Sequence, residues 1–352
     1  MAYTTIDKPS NHFNTVLYTG TGSATSITGV GFQPDWIWLK NRSTNNSHQL
    51  YDAVRGTTKY LESDNNGAEY TSANGISAFG SDGFTIAGNL TGANNSSDTF
   101  VAWNWKAGGS ASSNSDGSIT SSVSANTTAG FSIVKYTGAG TGTATNVGHG
   151  LGVVPDMYMV KSLDSIGNWQ TYHHQMSGDP KTDYIQLDTD EAVADYTFWG
   201  DTAPTNSVFT VKDGNDVNES GEEYIAYCFK SIKGYSRFGS YIGNGNTNGT
   251  FIYTGFKPAL IIIKNTTSGS HNWLMFDNKR DIDNPVSQLL MPNQNSAEQT
   301  MGTSNPLFDF CSNGFKLRGT GTDGNESGST HIYMAFAESP FVTSTGIPNN
   351  AR

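Results

Sequence analysis

The chain repeats one pattern of about a hundred residues three times, and this constrains the fold more than any single motif. Each copy opens on an aromatic and a nearby glycine: Tyr18-Thr19-Gly20, Tyr136-Thr137-Gly138 and Tyr241-Ile242-Gly243. Each continues with a proline, an apolar strand and a lysine: Pro34 to Lys40, Pro155 to Lys161, Pro258 to Lys264. An aromatic strand follows, beginning at His48, Asn168 and His271. A turn then leads to a phenylalanine, Phe84, Phe209 or Phe315. Each copy closes on an aromatic strand around one alanine, Ala102, Ala226 or Ala335. Order is kept throughout, so the chain is an array of one unit, each copy long enough to hold a core of its own.

Composition points to β-structure. Charged residues make up 14% of the 352 residues, well below the usual quarter or so, while glycine is abundant at 40. The surface is therefore built from Asn, Ser, Thr and Gly, which supply turns, while Thr and the aromatics suit a pleated face. No stretch carries a sustained helical apolar stripe. In the first copy the strands read FNTVLYT, SATSITGV, DWIWLKN, HQLYDAV, KYLES, GISAF, FTIAG and DTFVAWNWK. Their spacing and turn punctuation predict an all-β fold of three tandem antiparallel β-sandwich, jelly-roll-like repeats. The prolines fall at strand starts, where a missing N–H does no harm. Bulky residues on both faces of DWIWLK and FVAWNWK mark strands covered on both sides, by the second sheet and by a neighbouring unit or partner.

The expected organisation is an arm over 1–12, repeats over 13–106, 131–233 and 234–340, and a polar tail over 341–352. Residues 107–130, almost purely Gly, Ser, Ala, Asn and Thr, read as a flexible or extended linker, with SITSSVS as an added edge strand. On that reading repeats two and three pack closely and repeat one is more loosely tied. Net charge is −11 with no basic cluster, which argues against nucleic-acid binding. The first residues show no secretory signal, and no apolar run is long enough to span a bilayer. The cysteines, Cys228 and Cys311, form no disulfide framework, and Cys228 reads as a small buried residue.

Candidate sites are few. The loop before the last strand carries Asn95, Asn218 and Asn325, with Asp213 and Asp323 just upstream in two copies. Oxygen ligands in a tight glycine loop are able to hold Ca²⁺, but the spacing is not that of an EF-hand, and Asx-turned hairpin loops are the plainer reading. Asp52-x-x-Arg55 recurs as Asp277-x-x-Arg280, while the second copy has His173 and Met176; a salt bridge or turn clamp accounts for this better than a catalytic pair. His173 and His174 point to opposite faces of a strand and do not share a metal. The carboxylates Asp188, Asp190 and Glu191 lie in polar loops, where glycan hydrolysis is the alternative to plain solvation. Trp36, Trp38, Trp103 and Trp105 read as core, or as a docking patch should one face stay open. No catalytic residue, cofactor or metal site is assigned.

The phrases YTGTGSATSITGVGFQPDWIWLKNR and DTFVAWNWKAGG resemble a repeat of tailed-phage virion proteins, especially of marine podoviruses, labelled tail fibre or virion structural protein. The resemblance runs from Phe13 to Pro340, strongest through Gly31–Asp35 and Val101–Lys106, with TGFKPALIIIK matching in the third copy and the second departing most. It implies a location in the virion and no catalytic residues. The expected role is a non-enzymatic surface protein for host attachment, a tail fibre or receptor-binding component using the polar loops. Capsid decoration or a tail adaptor is the alternative, and polysaccharide depolymerase ranks last. The expected partners are other virion proteins, copies of the chain in a homo-oligomer, and a host surface glycan or protein.

Overall fold

The computed structural model describes residues 4–140, 142–212, 214–302, 305 and 307–340. The tail over 341–352 and Asp213 lie outside the described residues. The fold is all-β, with helix confined to single turns among the described residues.

One strand order recurs three times. In the first repeat a sheet runs Phe13–Thr19, Thr99–Trp105, Trp36–Asn41, Gln49–Asp52, then out through Lys59–Glu62 to Tyr70–Thr71. The second runs Phe131–Thr137, Glu223–Phe229, Met157–Ser162, Gln170–His173, and out through Asp183–Gln186 to Ala194–Asp195. The third runs Ser236–Ile242, Thr330–Pro340, Phe256–Asn265 and Leu274–Asp277. A small sheet faces each of these, pairing Ile27 with Phe84, Val147 with Phe209 and Ile252 with Phe315. Every pairing of named strands is antiparallel, so each repeat is a sandwich of a large and a small sheet.

Strand alternation divides the aromatics between two environments. Ile37 and Leu39 point into the first sandwich with Tyr51 and Phe84. Trp36, Trp38, Trp103 and Trp105 point the other way, into a cluster that contains residues of all three repeats. There Trp105, Phe229 and Phe336 occupy equivalent places and converge, with ring centroids 5.4 Å apart for Trp105–Phe336 and 6.3 Å for Phe229–Phe336. Trp36 stacks on Tyr227 at 4.6 Å. The second covering of these strands is thus the chain's own neighbouring repeats, and all four tryptophans are fully buried.

Two organisational expectations are corrected. Within residues 107–130 the strand expected at SITSSVS forms as Ser121–Asn126, paired along its whole length with Phe131–Thr137, and Ser112–Asn114 adds the outer edge strand, so the segment is more than a loose tether. The backbone N–H groups of Ala107 and Gly109 donate to Asp35 Oδ2. The first repeat is therefore fixed as firmly as the others, because its tryptophan face is apolar and has no other cover.

Register also corrects one set of equivalences. Ala102 and Ala226 lie opposite Val16 and Val134, but the matching pair in the third repeat is Gly239 and Tyr333; Ala335 sits two residues further on. A small residue opposite valine has been exchanged for a tyrosine opposite glycine, which conserves filled volume. All three alanines are nonetheless fully buried. The prolines are buried too, Pro258 at a register shift within its strand, where the ladder does not need its N–H.

Candidate functional site

Each repeat carries one loop cluster, and the recurring motifs build it. Tyr18, Tyr136 and Tyr241 donate their hydroxyls to the carbonyls of Ala93, Val217 and Gly324, at 2.6, 2.7 and 2.7 Å. The glycine two residues on must be glycine: a Cβ at Gly20, Gly138 or Gly243 would lie 2.1 to 2.2 Å from the carbonyl oxygen of Asn95, Glu219 or Glu326. Next to it a buried asparagine locks the loop. Asn94, Asn218 and Asn325 accept from the backbone N–H of Thr21, Ala139 and Asn244 at 2.8, 2.8 and 2.9 Å. In the first repeat this residue is Asn94, not Asn95. Asn94 ends the single helical turn Thr91–Asn94, as Asn325 ends Thr322–Asn325, whereas Asn95 has already left the turn. Asn218 and Asn325 are buried anchors of their loops and do not face solvent.

The loop carboxylates are occupied by the chain itself. Asp98 accepts from Asn41, Glu222 from Ser162, and Glu326 from Asn265, Ser268 and Ser329. These donors hold Glu326 down at about 2. Asp323 receives the His271 ring nitrogen at 2.9 Å. Among the described residues no group of three or more His, Cys, Asp or Glu side chains converges as metal ligands do.

The recurring lysines lie at the seams between repeats. Lys40 Nζ donates to the Asn295 carbonyl at 3.1 Å, Lys161 to Asn66 at 3.4 Å and Lys264 to Asp190 at 2.9 Å. These bonds run from first to third, second to first and third to second repeat, so the three seams close a ring. Two further bonds repeat the same circuit. Trp169 Nε1 donates to the Glu62 carbonyl and Trp273 Nε1 to that of Gln186, both at 2.8 Å. At the remaining seam the equivalent residue is His48, whose ring faces the Met291 main chain. The backbone N–H groups of Glu69, Val193 and Glu298 donate to the carbonyls of Leu163, Thr266 and Arg42. A heterologous contact repeated with a rotation that closes makes a ring, here within one polypeptide. The lysines are fully buried, and burial lowers each to about 8.

Asp52 and Arg55 form a buried ion pair that does three things. Asp52 Oδ1 caps the turn through the Val54 and Arg55 N–H groups, Arg55 reaches Glu69, and Asp52 Oδ2 accepts from Tyr227 of the second repeat at 2.8 Å. Asp277, Arg280 and Glu298 repeat this, with Trp103 Nε1 donating to Asp277 Oδ2 at 3.1 Å and Arg280 lying over the Trp103 ring. In the third seam all four positions change together: His173, Met176, Val193 and Met334. Met334 has no donor, and His173 keeps the cap, its Nδ1 accepting from the Gln175 N–H at 3.1 Å, while its ring also faces the Tyr333 main chain. These charges hold the seams together.

A cleft opens to solvent at each seam, and a further one lies between the first repeat and residues 125–128. That between second and third repeats has a volume of about 470 Å³ and is lined by His174, Lys230, Lys233, Arg237 and Tyr253 among others. Sequence reasoning passed over it because its residues come from four separate segments. No helix of the described residues is long and apolar enough to cross a membrane. Over residues 8–340 the chain matches a family described as a domain of unknown function, DUF7483, and it belongs to that family. No curated protein and no solved structure matches it.

Proposed function

We propose that the chain is a non-enzymatic surface protein of a phage virion, acting in host attachment as a tail-fibre or receptor-binding component. One observation carries the reading: three loop clusters, each locked by the same Tyr–Gly–Asn device, stand at equivalent places on one closed ring. A rigid scaffold that presents variable polar loops in several copies is suited to recognition, since loops carry specificity and several weak contacts multiply. The buried charges, meanwhile, are used between repeats. The partners in this reading are other virion proteins, further copies of the chain and a host surface glycan or protein. The test is saturable binding of labelled protein to host cells together with competition against phage adsorption. Binding without competition, or none, overturns it.

Capsid decoration is the second reading, favoured by the ring itself, because a threefold object of this kind fits a threefold position on a shell. Co-purification with empty heads and no cell binding would establish that reading in place of attachment.

A further inference from the structure

The first strand of each repeat has its closing strand on one side, and in two repeats the chain also covers the other side. In the second, Ser121–Asn126 pairs with Phe131–Thr137. In the third, Phe238 is held across the seam, its N–H by Ser231 Oγ and its carbonyl by His174 Nε2, both at 3.1 Å. In the first, Phe13–Thr19 pairs with Thr99–Trp105 alone. The bonds from Lys106 N–H to the His12 carbonyl and from Gly20 N–H to that of Asp98 fix which way this main chain faces. By the alternation of an antiparallel pair, Phe13, Thr15, Leu17 and Thr19 turn their N–H and C=O groups away from the sheet. Among the described residues the one partner these groups find is the Asn14 side chain, at the Thr15 N–H.

Open edges are usually guarded by a charge, a proline or a bulge. This strand carries none of these. It carries instead Leu17, 41% exposed, where the second repeat has Lys135 and the third Ser240. At its start the edge runs into the first–third cleft, a pocket of about 210 Å³ between Phe13 and Thr15 on one side and Asn278, Lys279 and Glu338 on the other. Two oxygens there are buried with no partner, Thr15 Oγ1 and Asn278 Oδ1, and Thr15 as a whole is 5% exposed. Buried oxygens are costly unpaired, so two of them beside an open edge suit polar atoms brought by a ligand. The charge left over is positive. Lys257 engages Glu338 at 2.7 Å, while Lys279 is exposed and enters no ion pair among the described residues.

We infer that the edge Phe13–Thr19 takes up an extended strand of another polypeptide, whose carboxylate-bearing C-terminal end enters the first–third cleft. A row of outward N–H and C=O groups at strand spacing is met by another strand, main-chain bonds giving affinity and pockets giving the choice of side chain. The second repeat supplies the pattern, with Ser122 opposite Lys135 and Asn126 opposite Phe131. On Phe13–Thr19 the same antiparallel register sets position 122 against Leu17, which favours an aliphatic residue. It sets position 126 against Phe13, in the cleft where Lys279 favours a carboxylate. A second copy is the poorer partner, since each chain carries a net charge of −11. The inference goes beyond the attachment reading and does not depend on it.

Calorimetric titration of the whole chain with three C-terminally amidated peptides is the test. The first copies residues 118–126 with Ser122→Val and Asn126→Asp. The second is the same peptide N-methylated at positions 122 and 124, whose amides face the edge in this register. The third keeps Asn126. The first is expected to bind at millimolar strength or better, the second at least about tenfold more weakly and the third about fivefold more weakly. Lys279→Ala should abolish the difference between first and third. Leu17→Lys, which installs the residue of the second repeat, should lower affinity for the first peptide about tenfold or more, while Lys135→Ala leaves it unchanged. Leu17 is exposed, and a melting curve for each variant checks that the fold is intact; Leu17→Ser serves should Leu17→Lys fail to fold. No binding of the first peptide, equal binding of the N-methylated one, or no effect of Leu17→Lys would each overturn the inference. So would light scattering that shows a dimer lost in Leu17→Lys, since the edge would then belong to a second copy.

Discussion

Tyr227 donates its hydroxyl to Asp52 Oδ2 at 2.8 Å across the seam between second and first repeats, 175 residues apart in sequence. The same carboxylate oxygen holds Arg55, so one atom satisfies a buried cation and ties two repeats together, while Oδ1 caps the turn that closes the strand. The equivalent oxygen of Asp277 takes Trp103 of the first repeat. At the third seam donor and acceptor are lost together, as Met334 and His173. That joint loss fits pairwise necessity: a buried aspartate without its partners costs more than an apolar substitute.

Asp52→Ala should therefore destabilise the protein by about 3–5 kcal/mol, because it removes the shorter of the two ion pairs of buried Arg55, leaving only Glu69, and strips Tyr227 of its acceptor. Tyr227→Phe removes one bond to a charged group and should cost about 1.5–3 kcal/mol. Urea denaturation of both variants checks this, and equal effects would mean the charge is not sequestered as described.

The exchange between repeats at Gly239 and Tyr333 should be reversible in pairs. Gly239→Val alone drives a methyl-bearing carbon against the Tyr333 ring, since a Cβ there lies 2.6 Å from Tyr333 Oη. Gly239→Val with Tyr333→Ala recreates the Val16–Ala102 arrangement. The double variant should be more stable than the sum of the single effects by about 0.5–3 kcal/mol, the range seen for residues in contact. Strict additivity, measured by denaturation of all four proteins, would break the proposed equivalence.

Much of the fold was readable from the chain. Period-two alternation and turn residues marked the strands, because side-chain direction is fixed by the pleat. The Tyr–Gly opening and the buried lysines were visible as recurrences. Ring closure was not, because the acceptors of Lys40, Lys161 and Lys264 are main-chain carbonyls, which leave no signature in residue identity. Matching by letter also misplaced two positions. Asn94 and Asn95 are neighbours of the same type that only a helical turn distinguishes, and Ala335 stands two residues past the true counterpart of Ala226. In the linker the alternation of SITSSVS disclosed one strand, while Ser112–Asn114 escaped notice because Ser and Asn serve equally well in a solvated tether and in an edge strand with a ready partner. The second–third cleft was invisible for want of any local motif.

Stability should rise with pH above neutrality and then fall. Burial lowers Lys40, Lys161 and Lys264 to about 8, beneath the ordinary lysine range. Between that point and the unfolded lysine value the unfolded chain binds more protons, so raising pH favours the folded state. Above roughly pH 10 the sign reverses, since unfolded tyrosines ionise there while Tyr18, Tyr136, Tyr158 and Tyr241 are held protonated by burial. On the acid side His173 at about 3 and His331 at about 4 stay neutral when folded, so stability is lost as pH falls below the unfolded histidine value. Urea midpoints from pH 4 to 11 should trace this profile, with a maximum near roughly pH 9–10. A steady decline from pH 7 upward would contradict the buried, charged lysines.

The ring should unfold as one unit. A chain of tandem domains ordinarily melts in steps, each domain with its own core. Here one apolar cluster contains residues of all three repeats, and Trp36 alone touches Phe131, Tyr227 and Phe229 of the second. Opening one repeat exposes the tryptophan or phenylalanine face of its two neighbours and breaks two of the three seams. All seven tryptophans are buried, and all seven belong to the shared cluster. Their emission should be blue-shifted in the native protein and shift red in a single transition that coincides with loss of the β-sheet circular dichroism signal. Chains cut after the second repeat, ending at residue 233, should fail to give that transition, because Trp103 and Phe229 then lose Arg280, Phe336 and Phe238 as cover. Two resolved transitions in the whole chain, or a cooperative melt of the shortened one at the same temperature, would mean that the repeats stand on their own cores and that ring closure adds little.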